Sequence, residues 1–463
     1  MNVATTPVES AEIDWKVEGD RCIALLRDLI RIKTVNRGTG GEGDGNEGEA
    51  ATRVAEFLRE AGVEPKLMGK VKGRENLVAR IKGTGEKPPL LLNAHLDVVE
   101  ADASKWKHDP FGGEIHDGYL WGRGAIDMKH MAAMSACVMA LLARSGKKLD
   151  RDVIFAAVAD EEAGCALGSM YLCDEHADDV RAETMLGEVG GFSLYLLGRT
   201  FYPIQVAEKG VCWVRATYEG EPGHGSMPNP ESAVVKLATA IKRLSKKRMP
   251  MHPTQAVHDF LHGLARELPS PQKQVLKRLS TPQVAGLILD VLVREPGKKR
   301  SFGAMLSNTA SPTILRAGSK VNVIPGKASV DLDGRTLPGQ SEASFLAELR
   351  DALGGDPGFE VLRSLPPVEA SSTTPVFDHL AATLRRADPT GHPLPYLIPG
   401  FTDAKAYVRL GTTCYGFAPV KFDPTHTIDF SKMYHGHDER VPVDGLTWGL
   451  RVLYEAVRGA PSL

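Results

Sequence analysis

Five short stretches of the chain concentrate the side chains able to hold a metal ion or move a proton. In LLLNAHLDVV, His95 and Asp97 stand two apart where an apolar run ends; at strand spacing they project to the same side. A metal-bound imidazole commonly donates its second ring N–H to a carboxylate, and Asp97 fits that partner. A polar strand end making a turn fits the same two residues. In YLWGRGAIDMKH, Asp127 sits between a glycine-rich turn and a helical pattern, where it serves either as a ligand or as a helix N-cap. In VIFAAVADEEAG, Asp160, Glu161 and Glu162 follow an apolar strand, and three successive carboxylates repel one another unless solvent or cations neutralise them. Glu188 ends the run MLGE, and His435 and His437 lie in YHGHDERVPV. Nitrogen and carboxylate donors without thiolates suit Zn²⁺, with Co²⁺ or Mn²⁺ as substitutes. A glutamate beside such a site is placed to accept and deliver a proton.

The elements that must position these residues alternate. Helical periodicity covers 20–32 and 49–61, the two separated by a glycine-rich loop. Strand-like segments at 76–81 and 90–94 precede a long helix over 128–145 and an apolar strand at 153–159. Alternating helices and near-continuous apolar strands predict an α/β fold whose mixed, mainly parallel sheet is sandwiched by helices. In open sheets of this kind ligands collect at the carboxyl ends of strands, where His95, Glu161 and Glu188 fall.

The texture changes near Gly210. A strand at 211–218, a helix at 231–244, strands at 313–317 and 328–332, a helix at 342–353 and a strand at 359–362 form a second set. That order predicts an inserted α+β, ferredoxin-like domain. The expected organisation is a catalytic domain over 1–209, an insert over 210–366 and a return to the catalytic domain over 367–463. Lys209 and Gly210 mark the junction and a candidate hinge.

Composition narrows the partners. In 463 residues, 56 Lys+Arg nearly balance 58 Asp+Glu, so no general attraction to nucleic acid or anionic membrane is expected. No apolar run approaches the ~18–20 residues that span a bilayer. The first residues show neither the basic nor the apolar region of a secretory signal. The six cysteines form no CxxC pair, which favours a reducing, cytoplasmic setting. Cys165 lies beside acidic residues, which disfavour a thiolate.

Read together, HLDVV, GRGAIDMK, DEEAG, LGEVGG, GHGS and HGHDERV resemble, in the same order, the motifs of the zinc aminoacylases and related peptidases. That family includes glutamate carboxypeptidase, acetylornithine deacetylase, succinyl-diaminopimelate desuccinylase and Gly-X carboxypeptidase, and the resemblance runs over 23–454. It implies a two-zinc site in which His95 and Glu188 bind one ion, Glu162 and His435 the other, and Asp127 bridges them. Asp97 would orient His95, Glu161 would be the general base, and the Asp127–Met128 peptide would be cis. The register H-x-x-[DN]-E over His435 to Glu439 leaves His437 outside the ligand set.

The resemblance also assigns roles in the insert. His224, in GEPGHGS, would stabilise a tetrahedral oxyanion across a dimer interface, and Arg335 would grip a substrate carboxylate. Asn308, and Thr402 with Asp403 in GFTDA, resemble substrate-site motifs. The long stretch at 245–302 is similar to that of the longer members acting on N-acyl amino acids. It fits lid or dimer packing, or an apolar wall for a large acyl group. The expected activity is hydrolysis of an amide next to a free carboxylate, in N-acyl amino acids or short peptides, by a homodimer. A biosynthetic deacylase of acetylornithine or succinyl-diaminopimelate is the alternative. A non-catalytic binding protein is the remote one, disfavoured because every expected ligand is present. No G-x-G-x-x-G lies between a strand and a helix where a dinucleotide would need it.

Overall fold

The computed structural model describes residues 13–41, 44–196, 198–293, 295–424 and 433–463. The chain divides into two compact units, one comprising Ala207–Glu369 and Tyr396–Phe401 and the other comprising the remainder. The segment Tyr396–Phe401, read from sequence as part of the returning catalytic piece, thus falls in the inserted unit.

The larger unit is built on a mixed sheet. Leu90–His95 lies between Val153–Val158 and Thr184–Gly187, and Thr413–Gly416 pairs with Thr184–Gly187; all three of these pairings are parallel. Antiparallel neighbours, Asn76–Ile81 on one side and Arg199–Glu208 on the other, flank this centre. The strands LLLNAH, VIFAAV and TMLG are buried at every position. That is the mark of parallel strands covered on both faces, and the reason they read as continuous apolar runs.

Register decides where the polar ends land. His95 is opposite Val158 and Leu92 is opposite Leu186. The residues just beyond these pairs, 159–162 and 188, therefore emerge at one sheet edge with His95.

Helices Trp15–Arg31, Lys129–Arg144 and Val443–Arg458 pack against one another, and Lys129–Arg144 also packs on the His95 strand. Lys129–Arg144 is buried on all sides through Leu142, so it has no solvent stripe. The Lys129 ammonium donates to the carbonyls of Leu29 and Ile32 at 2.7 and 2.8 Å. It closes the C-terminal end of Trp15–Arg31, where a cation meets the negative end of the helix dipole.

The inserted unit has a four-stranded antiparallel sheet in the order Thr309–Ala317, Lys327–Thr336, Gly210–Glu219, Gly358–Leu365. Helices Ala233–Lys246 and Glu342–Leu353 pack together, and Val214, Val330, Leu332, Phe345 and Leu349 fill the layer beneath them. Between the first helix and Thr309–Ala317 come four more helices, Gln255–Arg266, Gln272–Leu279, Pro282–Val291 and Pro296–Leu306. The candidate hinge is tied down: the Lys209 ammonium donates to the Ser307 carbonyl at 2.7 Å and to Thr309 Oγ1 at 3.2 Å.

Candidate metal centre

His95 is the last residue of its strand and is fully buried. Its Nδ1 lies 3.0 Å from the Asp97 carbonyl oxygen. A carbonyl only accepts, so Nδ1 carries the hydrogen and Nε2 faces the carboxylates. Nε2 is 3.1 Å from Asp127 Oδ1, 3.9 Å from Glu188 Oε2 and 4.0 Å from Glu161 Oε2. On the far side of Asp127, His435 Nε2 is 3.3 Å from Asp127 Oδ2 and 3.0 Å from Glu162 Oε2. Asp127 thus stands between the two imidazoles, one oxygen to each, while Glu162 faces His435 and Glu188 faces His95.

Three placements bear on alternatives left open by the sequence. Asp127 does not cap the following helix, whose N-cap residue is Met128; the Asp127–Met128 peptide is cis. Asp160 turns away from its two neighbours. Its Oδ1 accepts from Arg74 at 3.2 Å and Asn36 at 3.1 Å, and its Oδ2 accepts from the Leu167 N–H. The Asp97 carboxylate meets His95 only at 3.6 Å. Its oxygens instead accept the backbone N–H groups of Glu161 and Glu162 at 3.1 and 3.0 Å, and the Asn36 amide at 2.9 Å. Asp97 therefore meets His95 through its backbone carbonyl and the N–H groups of the two glutamates through its side chain.

The electrostatics are those of a crowded anionic site. Burial, with Glu188 next to it, pushes the Glu161 carboxyl well above the usual range, and burial does the same to Glu188. Burial would also raise Asp127, but hydrogen bonds from His435 and His95 outweigh it and hold this group well down. Hydrogen bonds to Asp127 and Glu162 lift His435 to about 10.

A divalent cation fits this donor set. Donor atoms of His95, Asp127 and Glu162, and of His95, Glu161 and Glu188, lie within 4.8 Å of one another. Glu162 Oε1 and Glu188 Oε1 are buried without a hydrogen-bond partner. Buried carboxylate oxygens are rarely left so unless an ion takes them. Distance does not separate Glu161 from Glu188, since the two reach His95 about equally.

Two supports went unremarked in the sequence. Glu439 is fully buried; its carboxylate accepts the N–H groups of Ile126, Asp127 and Gly124 at 2.7, 3.0 and 3.2 Å and Arg123 Nη1 at 2.8 Å. Glu47 grips Arg74 through both of its oxygens, at 2.5 and 2.7 Å, and so fixes the arginine that holds Asp160.

Other expected residues have their own partners, Asp403 while staying within electrostatic range of His95, Glu161 and Glu188. Asp403 is buried in the larger unit, with Ser169 Oγ donating at 2.5 Å and Asn93 at 2.8 Å. Thr402 beside it is also buried. His437 borders a cavity with Lys33, Arg37 and Phe111. Cys165 is buried, and burial with Asp403 and Glu161 nearby drives its thiol well up.

In the inserted unit, His224 is exposed, and its Nδ1 accepts the Ser226 N–H at 3.2 Å. That leaves Nε2 as the donor. Arg335 donates to Asp333 at 2.7 and 3.2 Å, while its Nη1 is buried without a partner. Asn308 is occupied at both ends: it accepts the Leu337 N–H and donates to Glu348, each at 2.9 Å. It ties the end of the Arg335 strand to the helix Glu342–Leu353, with one N–H and one lone pair of the amide not used in these two bonds.

Comparisons with known proteins identify the family and the fold. The family model described as Peptidase family M20/M25/M40 matches residues 91–459. A probable carboxypeptidase S-like 2 from Dictyostelium discoideum is 28% identical over 90% of this chain and 81% of its own. The N-fatty-acyl-amino acid synthase/hydrolase PM20D1 of Bos taurus is 28% identical over 85% of this chain and 78% of its own. Among solved structures, an M20 family metallo-carboxypeptidase from Sulfolobus solfataricus shares the fold with a TM-score of 0.67, at 20% identity, over 95% of this chain and 99% of that one. This chain is a hydrolytic enzyme and belongs to peptidase family M20/M25/M40.

Proposed function

We propose that this enzyme hydrolyses the amide of N-acyl amino acids, next to their free carboxylate, at a two-zinc centre. His95 and Glu188 would hold one ion, Glu162 and His435 the other, and Asp127 both. The observation that carries this reading is the convergence of two imidazoles and three carboxylates with one unpaired oxygen each on Glu162 and Glu188. Bound there, two divalent cations supply Lewis-acid polarisation of a carbonyl and acidify a water at neutral pH.

The chain's own residues do the rest. Glu161 accepts the proton of the attacking water and delivers it to the departing amine nitrogen, the two halves of a general acid–base transfer. Arg335, with a buried N–H group free at Nη1, is assigned to the substrate carboxylate. His224, a donor at Nε2, is assigned to the oxyanion in the active site of a second copy. The homodimer is assigned to the outer strand Thr309–Ala317, which exposes Ile314 and Leu315 (48% and 62%). Such an edge is a template for pairing with its own copy.

A long acyl group is favoured by the helix Pro282–Val291. It and the residue after it leave Val284, Leu287, Val291 and Leu292 uncovered, an apolar face of the kind that marks binding surfaces. The relative named an N-fatty-acyl-amino acid hydrolase points the same way.

The test is a substrate panel: N-acyl amino acids of increasing chain length, the same compounds as C-terminal amides, and short peptides, all at fixed zinc. Turnover of the free acids rising with acyl length is expected. Equal turnover of the amidated compounds would remove the carboxylate requirement, and a preference for acetyl or succinyl groups would favour the biosynthetic deacylase.

A further inference from the structure

We infer a third metal site, outside the centre described above, formed by His108, Glu114 and His116. Glu114–His116 and Tyr119–Trp121 form a short antiparallel hairpin. Its turn, Asp117–Gly118, has φ of +51° and +77°, the left-handed pair that a two-residue hairpin turn requires. Glu114 and His116, two apart on one strand, share a face. His116 Nε2 lies 2.9 Å from Glu114 Oε2. His108, from the preceding loop, lies flat on His116 with ring centroids 3.7 Å apart and 7° between planes. The Trp121 ring meets it edge-on at 4.6 Å. One donor atom from each of the three residues falls within 4.8 Å of the other two.

These spacings are close to those of a coordination shell. Around a tetrahedral ion with bonds of ~2.0–2.1 Å, neighbouring ligand atoms are roughly 3.3–3.4 Å apart. The His116–Glu114 contact is already near that length, and a cation there replaces the hydrogen the two now share. Stacked imidazoles hold their lone pairs parallel, so binding requires His108 to turn about its side-chain bonds. His116 and Glu114 can adjust as well, being 39% and 53% exposed. Two imidazoles and one carboxylate, open to water, select a late first-row divalent ion such as Zn²⁺, Ni²⁺ or Cu²⁺ over Mg²⁺ or Ca²⁺.

The ion would act as a clip. Each strand of the hairpin has only three residues, and its second strand runs straight into Gly122, whose N–H donates to the Glu439 carbonyl at 3.0 Å. Pinning the His108 loop to the hairpin steadies the backbone leading to Asp127 without touching substrate. Its signature is therefore stability and metal content, not turnover.

The experiment counts zinc. Protein carrying its active-site metal is equilibrated with Zn²⁺, and the bound ion is measured after gel filtration for wild type, His108→Gln, His116→Gln and Glu114→Gln. Wild type is expected to hold one more equivalent than each variant. The variants' affinity for that equivalent should fall at least ~10-fold, since even outer-shell losses typically cost ~10–100-fold. Excess Zn²⁺ should also raise the unfolding midpoint of wild type more than that of the variants. Glu114→Gln, an exposed change of equal size, keeps the test open if a histidine variant folds poorly. Equal zinc content in wild type and all three variants would overturn the inference and leave the residues as a stacked, hydrogen-bonded cluster. Because the readout is a difference between proteins, it does not depend on how many ions the active site holds.

Discussion

Replacing Glu439 by glutamine tests whether the loop carrying Asp127 is held from behind by a residue 312 positions away. The carboxylate makes four contacts: Oε1 accepts the N–H groups of Ile126 and Asp127, and Oε2 accepts Gly124 N–H and Arg123 Nη1. A glutamine can keep the first pair with its carbonyl oxygen. Its NH₂ group then faces Gly124 N–H and the guanidinium, donor against donor. Arg123, only 2% exposed, keeps its hydrogen bonds to the Gly436 and Glu100 carbonyls but loses its anion. Removing one partner of a buried ion pair typically costs ~3–5 kcal/mol; with half of the acceptor set retained, the lower end, ~3 kcal/mol, is expected. At ~2–4 °C per kcal/mol for a large domain, the unfolding midpoint should drop by ~6–12 °C. Because the loop leading to Asp127 loses its anchors at Gly124 and Arg123, zinc affinity should fall by ~10–100-fold as well. Thermal unfolding of the metal-loaded protein and zinc content after dialysis measure the two effects. A variant with unchanged midpoint and zinc content would refute the claim that Glu439 holds the bridging aspartate.

Glu161→Gln should keep its zinc and lose ~10²–10⁴-fold in kcat, the usual range for a general base; loss of one zinc equivalent would move Glu161 into the ligand set. Phe345→Ala opens the core of the inserted unit, where Phe345 is fully buried, and should cost ~3–5 kcal/mol by denaturant unfolding; an unchanged midpoint would mean the layer closes over the gap. Asp388 tests the acid range. Burial raises it, but Lys421, Thr390 and Tyr202 outweigh burial and hold it at about 2. An acid depressed in the folded state contributes stability that is fully present above its unfolded value and lost as pH falls toward the folded one. Asp388→Asn should therefore flatten the loss of stability between about pH 4 and pH 2. A slope equal to that of wild type in that window would show that the group is not selectively ionised in the fold.

The sequence exposed those parts of the fold and site whose cause is local. Asn76–Ile81 and Glu342–Leu353 lie where periodicity places them, because an alternating or helical apolar pattern is a property of neighbouring residues. His95 and Glu188 could be read as strand-end residues because LLLNAH and MLGE each end an apolar run. Two kinds of fact stayed hidden. One is which polar groups meet across long separations: nothing near Glu439 signals that its carboxylate will collect three N–H groups from 124–127. The other is which end of a residue does the work, as with Asp97, whose backbone faces His95 while its side chain orders Glu161 and Glu162.

The same charges argue that metal binding and folding of the larger unit are one process. Asp127, Glu161, Glu162 and Glu188 converge on the buried His95 and on His435, whose side chain is 57% exposed. Without cations burial lifts three of these carboxyls, Glu161, Glu162 and Glu188, and hydrogen bonds to carboxylates lift both imidazoles, so that protons supply the missing positive charge. Divalent ions provide that charge without protons and take the oxygens that Glu162 and Glu188 leave unpaired. Binding free energy at such a site is folding free energy. Chelation should accordingly lower the unfolding midpoint of the intact enzyme by more than it lowers that of Glu162→Gln, which has less metal to lose. Equal midpoints for the wild type with and without chelator would separate metal from stability and leave the buried carboxylates without their physical explanation.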